Sequence, residues 1–162
     1  MLSLLAIVLT LQGLPTAPEG VRVREVVALG PADADRQPVR VQAHPKTGRL
    51  HVLYSNGDLW VVDAAASTKT LALEGPKWMR KSGAKFIQIL GFHLDAAGRA
   101  YVVANERHAT ERPQGAHVVV YRLEDGDGDG IPEKVAEWLT FEHPWGVGPF
   151  NHGACHITTG PD

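Results

Sequence analysis

Leu50-His-Val-Leu-Tyr-Ser-Asn-Gly-Asp-Leu-Trp-Val-Val-Asp63 sets two short apolar runs on either side of an Asn-Gly pair. Apolar runs bounded by turn formers read as strands. Asn-Gly between them is a strong hairpin signal, because a type I′ turn needs φ > 0 at both central positions. The stretch therefore predicts an antiparallel hairpin with strands over 50–54 and 59–63. Just upstream, Pro45-Lys-Thr-Gly48-Arg49 forms a tight turn that feeds the first strand. The same order returns 50 residues later, where Asp95-Ala-Ala-Gly98-Arg99 leads into Ala100-Tyr-Val-Val-Ala104. That run pairs with Val118-Val-Val-Tyr-Arg122 across a longer connection. A histidine, His44 or His93, precedes each Gly-Arg with three or four residues between.

A unit of about 40–50 residues, built from short strands and glycine turns, is the signature of a propeller blade. The expected fold is all-β, a β-propeller of roughly six blades when complete. About two and a half blades fit in this chain, and Gly160-Pro-Asp162 opens the third. A β-sandwich of similar strand content is the competing architecture, although sandwiches rarely repeat their turn residues. No long segment carries a 3.6-residue period, and 75–86 has room for one helical turn. The domain organisation expected is a partial propeller over 38–162, truncated at its C-terminus, behind a lead-in over 18–37.

The first seventeen of the 162 residues carry no charge and include the apolar run Leu2-Ser-Leu-Leu-Ala-Ile-Val-Leu9. Such a run is too short to span a bilayer but suits the central region of a signal peptide, with Pro15-Thr-Ala17 as the cleavage site. This predicts a signal peptide over 1–17 and export to the periplasm or the extracellular space. A buried strand of the mature protein is the other reading, since no Lys or Arg lies near Met1. With 16 basic and 18 acidic residues well mixed, nothing suggests a nucleic-acid surface. The single cysteine, Cys155, excludes an internal disulfide and a cysteine-only zinc site within these residues.

Asp125-Gly-Asp-Gly-Asp-Gly130-Ile-Pro-Glu133 alternates carboxylates with glycine. Calcium takes six to eight oxygens, and an acid at every second position of a flexible loop can fold its carboxylates around one ion. Asp125, Asp127 and Asp129 hold positions 1, 3 and 5 of an EF-hand loop, with Glu133 at 9. Ala136 stands where the bidentate glutamate belongs, so the motif is a calcium loop short of an EF-hand. A plain solvated acidic turn is the alternative. Further on, Trp145 in His143-Pro-Trp-Gly146 could line a cofactor or sugar pocket with its indole face, or pack in a strand core. Arg107-His108 and Glu111-Arg112 fall in the connection of the second repeat and read as a solvated rim loop.

Asn151-His-Gly-Ala-Cys-His-Ile-Thr-Thr-Gly-Pro-Asp162 closes the chain. The segment resembles that of soluble quinoprotein glucose/sorbosone dehydrogenases, in which a histidine sits eight residues before Gly-Pro-Asp. His152 and Gly160 have this spacing. Where that family usually has Gly-Arg-Leu, this chain has Cys155-His156-Ile157. The His-Gly-x-x-His form is similar to the "membrane-bound dehydrogenase" propellers of planctomycete-type bacteria, often fused to a c-type haem domain. The likeness spans about 38–162, but its specific motif covers only these twelve residues. It implies an exported oxidoreductase that oxidises a sugar or other alcohol with pyrroloquinoline quinone (PQQ), and His152 as general base. With it go His156 and Trp145 as cofactor-binding residues and calcium assisting the cofactor, and the resemblance implies a haem domain or other electron acceptor as partner. Gly-Pro-Asp normally runs on into a glycine and a strand, which makes the chain an expected N-terminal fragment.

The residues themselves leave alternatives open. An extended segment puts His152 and His156 on one face, where they could hold a metal with further ligands. Cys155 then turns to the other face as a small buried residue. A non-catalytic propeller binding carbohydrate or a partner protein would use the same histidines in its core. A metal-dependent lactonase or hydrolase would need several carboxylates around the channel mouth.

Overall fold

A computed structural model describes residues 16–29, 36–79, 86–107, 114–145, 154 and 156–160. Two antiparallel meanders follow one another along the chain. The first comprises β1 (Pro38–Ala43), β2 (Leu50–Tyr54), β3 (Leu59–Asp63) and β4 (Thr68–Leu73), paired in that order. A single helical turn, α1 (Gly75–Trp78), leads to the second meander of β5 (Phe86–Leu94), β6 (Ala100–Arg107), β7 (Gln114–Glu124) and β8 (Lys134–Trp145). The chain is all-β, and both expected hairpins are present. Among the described residues no helix is long and apolar enough to cross a membrane.

The apolar runs are unbroken because the middle strands are buried on both faces. Leu53, Leu59 and Leu73 of the first sheet share one core with Ile89, Phe92, Val102, Val119 and Tyr121 of the second. On the opposite face of the first sheet, Val52, Tyr54 and Val62 are covered by Val26 and Leu29. On the opposite face of the second, Tyr101, Val103, Val118 and Val120 meet Ala154 and Ile157. The layers therefore run from the N-terminal segment through the two sheets to the C-terminal segment. Trp138, Leu139 and Phe141 on β8 stay exposed.

The β2–β3 turn differs from expectation. Gly57 has φ 84°, but Asn56 does not have positive φ, so the turn is not type I′. Gly57 donates its N–H to the Tyr54 carbonyl at 2.9 Å, and Tyr54 donates to the Asp58 carbonyl at 2.9 Å. This is the three-residue loop, a type I turn followed by a left-handed glycine. The Asn56 side chain favours it by accepting the Asp58 N–H at 3.1 Å. Asp58, 4 % exposed, then reaches α1 and accepts the Gly75 N–H at 2.9 Å, standing in for the helix cap that Glu74 does not provide. Trp78 donates its indole N–H to the Gly57 carbonyl at 2.9 Å. The helical turn sits so close that a Cβ on Gly75 would fall 1.8 Å from the Asn56 carbonyl oxygen.

The structure also re-aligns the repeat. His44 donates its N–H to Arg49 and accepts from Gly48; Asp95 donates to Arg99 and accepts from Gly98. His44 therefore corresponds to Asp95, and His93 corresponds to Gln42. The first turn is one residue longer than the second, which hides this correspondence in a count back from Gly-Arg.

Candidate functional site

The loop 125–133 joins β7 to β8, with left-handed glycines at 128 and 130 that let the backbone curl back on its own carboxylates. Asp125 accepts the Gly128 N–H at 2.7 Å on one oxygen and the Gly130 N–H at 2.8 Å on the other. Asp127 accepts from Asp129 at 3.1 Å, and Asp129 from Ile131 at 2.7 Å. Glu133 accepts the Gly126 N–H at 2.9 Å and donates its own N–H to the Glu124 carbonyl at 3.0 Å, which closes the loop. Partial burial pushes the Asp125 carboxyl up, but the Gly130 and Gly128 N–H groups outweigh it and hold it below the usual carboxylate value. The loop is thus an ordered cradle and not a loose acidic turn.

One oxygen from each of Asp125, Asp127, Asp129 and Glu133 lies within 4.8 Å of all the others. Oxygens on opposite sides of a calcium ion are about 5 Å apart, given bonds of about 2.3–2.6 Å, so this donor set fits one such ion. Its hard, all-oxygen chemistry also suits calcium better than zinc. These carboxylates would supply four of the six to eight ligands such an ion takes.

The other sheet holds the loop in place. Arg49 donates to the Asp129 carbonyl at 2.8 Å and lies 3.8 Å from its carboxylate and 4.0 Å from that of Asp63. His51, 1 % exposed, bonds the Gly130 carbonyl through Nε2 at 2.9 Å, so the ring proton sits on that nitrogen. Its Nδ1 is enclosed without a partner among the described residues. The ring stacks between His44 and Phe92, at centroid distances of 5.6 and 6.1 Å. Burial, the largest influence, drives the His51 pKa down to about 4. Neither Arg49 nor His51 stood out as a site residue in the sequence. His51 did leave a trace: it alternates with Leu53 and so had to face the core.

Of the remaining site residues, Trp145 ends β8 opposite Gln114, and His152 and Cys155 lie outside the described residues. His156 is exposed and is not part of the carboxylate cluster. Its segment is nevertheless anchored. Asn105, 1 % exposed, both donates to the Ala154 carbonyl and accepts the Ala154 N–H, each at 2.7 Å. Thr159 donates its N–H to His93 Nε2 at 3.3 Å. No protein-family profile matches the sequence, and no curated protein is similar enough to match it.

Proposed function

We propose that the two sheets are consecutive blades of a β-propeller, and that the protein is an exported quinoprotein-type oxidoreductase oxidising a sugar or other alcohol with PQQ. One contact made twice carries the blade reading. Gln42, two residues before the first turn of its sheet, donates to the Leu94 carbonyl at 3.0 Å and accepts the Leu94 N–H at 2.9 Å. His93, two residues before the matching turn of the second sheet, accepts the Thr159 N–H. Leu94 precedes Asp95-Ala-Ala as Thr159 precedes Gly160-Pro-Asp162. Both contacts fall on the same position of the sequence repeat, which supports a rotational stack. A two-sheet sandwich gives no reason for the contact to recur.

Oxidation is supported by the His152–Gly160 spacing and by the docking of that segment through Ala154. His152 takes the proton of the substrate hydroxyl, the general-base role most often filled by an imidazole. PQQ, when bound, would supply the hydride acceptor. His156, exposed on the same segment, is the proposed cofactor contact. Asp125, Asp127, Asp129 and Glu133 would hold a calcium ion in the loop that Arg49 and His51 tie to the neighbouring sheet.

In the full-length, PQQ-loaded protein, His152→Ala should lower turnover about 10²–10⁴-fold, with cofactor affinity by absorbance titration changed much less. His156→Ala should be milder. Unchanged turnover in His152→Ala would end the catalytic assignment. A wild-type protein that binds no PQQ and oxidises no sugar or alcohol would leave a binding propeller in its place.

A further inference from the structure

The turn at 44–49, the turn at 95–99 and the loop 125–133 converge at one end of the two sheets and enclose a cleft of about 350 Å³. That volume lies in the usual range for small-molecule sites. Its floor holds a buried donor. His44 is 6 % exposed, and its Nδ1 accepts the N–H groups of Lys46 at 3.3 Å and Thr47 at 3.2 Å. The ring proton must then sit on Nε2. That nitrogen has no hydrogen-bond partner among the described residues, and it is not sealed off as His51 Nδ1 is. It opens beside Gly98, where a Cβ would come within 2.5 Å of it. Glycine at 98 thus leaves the donor accessible from the cleft.

The charges around this donor nearly cancel. Arg99 is held by Asp95 at 2.6 Å, and Arg122 by Glu124 at 2.5 Å. What remains is the Lys46 ammonium on one side and the Asp125 carboxylate on the other. An anion would meet Glu124 and Asp125, and a cation would meet Lys46, Arg99 and Arg122. A hydroxyl group suits both walls, because it accepts and donates at once.

We propose that this cleft binds a neutral polyhydroxylated ligand, a single sugar ring or a polyol of similar size. Its hydroxyls accept from His44 Nε2 and Lys46 Nζ and donate to the Glu124 carboxylate. The cleft shares Asp125 with the carboxylate cluster but contains no residue of the 145–162 segment.

The test is a titration of the isotope-labelled full chain with D-glucose, followed by amide chemical shifts, with sodium phosphate as the rival probe. Glucose should give saturable shifts confined to residues 44–49, 97–99 and 128–130. Lys46→Ala, a surface change that keeps the fold, should weaken binding about tenfold or more, as for loss of one hydrogen bond to a charged donor. Gly98→Ala should abolish saturation by covering His44. Because a side chain at φ 86° is strained, the Lys46→Ala result decides if Gly98→Ala fails to fold. The proposal is overturned by an absence of saturable glucose shifts at these amides, by equal affinity in Lys46→Ala, or by phosphate saturating the same amides more tightly than glucose.

Discussion

In the first sheet the turn after β1 is held by an imidazole, and in the second the turn after β5 is held by a carboxylate. His44 accepts the N–H groups of Lys46 and Thr47; Asp95 accepts those of Ala97 and Arg99. The backbone task is the same, but the arginine that follows each turn has a different fate. Asp95 captures Arg99 at 2.6 Å. His44 offers Arg49 no carboxylate, and Arg49 reaches across to the Asp129 carbonyl while also lying 4.0 Å from the Asp63 carboxylate of its own sheet. One exchange of side chain at one turn position thus closes one turn on itself. It also leaves the other free to clamp the neighbouring sheet.

The comparison can be broken first at His51, beneath the first turn, where the second sheet has Tyr101. Folded His51 stays neutral down to about pH 4, whereas in the unfolded chain it takes up a proton near 6.5. Between those values the unfolded state binds more protons, so stability should fall as pH drops from about 6.5 to about 4, by about 3 kcal/mol in total. Urea unfolding at a series of pH values should show this slope in the wild type and lose most of it in His51→Gln. Equal slopes in the two proteins would place the acid sensitivity elsewhere.

Calcium sharpens the comparison next, since the loop clamped by Arg49 is the one that holds the carboxylates. At a hundredfold excess over Kd, calcium should stabilise the protein by about 2.7 kcal/mol. Calorimetry should show heat on calcium addition that an Asp127→Ala, Asp129→Ala variant loses. Identical traces would reduce the loop to a self-capped turn.

Asp95→Ala comes third, at about 1–3 kcal/mol, because two turn N–H groups lose their buried acceptor. Burial raises the Asp95 carboxyl, yet the Arg99 N–H and guanidinium outweigh it and leave the pKa below the ordinary value. Its contribution is therefore present above the unfolded carboxylate pKa and should fade as pH falls through the lower folded one. The smallest contrast lies between the arginines. Arg49→Ala should cost about 1 kcal/mol and speed amide exchange at Gly130 and Ile131. Arg99→Ala, at an exposed guanidinium, should cost less and leave that exchange unchanged. A larger loss in Arg99→Ala would reverse the proposed roles.

Much of this was legible in the sequence because it is local. Apolar runs, Gly-Arg turns and the spaced aspartates each declare themselves within a dozen residues, and the strands and carboxylate cluster stand where those signals put them. Two things were misread for want of distant partners. Asn-Gly at 56–57 fits a type I′ turn until Asp58 is seen to be tied to Gly75, seventeen residues on. His93 looked like the counterpart of His44 until the hydrogen bonds matched His44 with Asp95. The roles of Arg49 and His51 depend on contacts about eighty residues away, at Asp129 and Gly130, and nothing local announces these.

The central claim is that the two sheets are copies in one rotational stack, and the repeated inter-copy contact tests it most directly. In a nuclear Overhauser spectrum of the labelled protein, the Gln42 side-chain amide should show a cross-peak to the Leu94 amide. The His93 ring should show one to the Thr159 amide. Both together are the expected result. The first without the second would mean that the sheets pack against each other once, as in a sandwich, and would contradict the account.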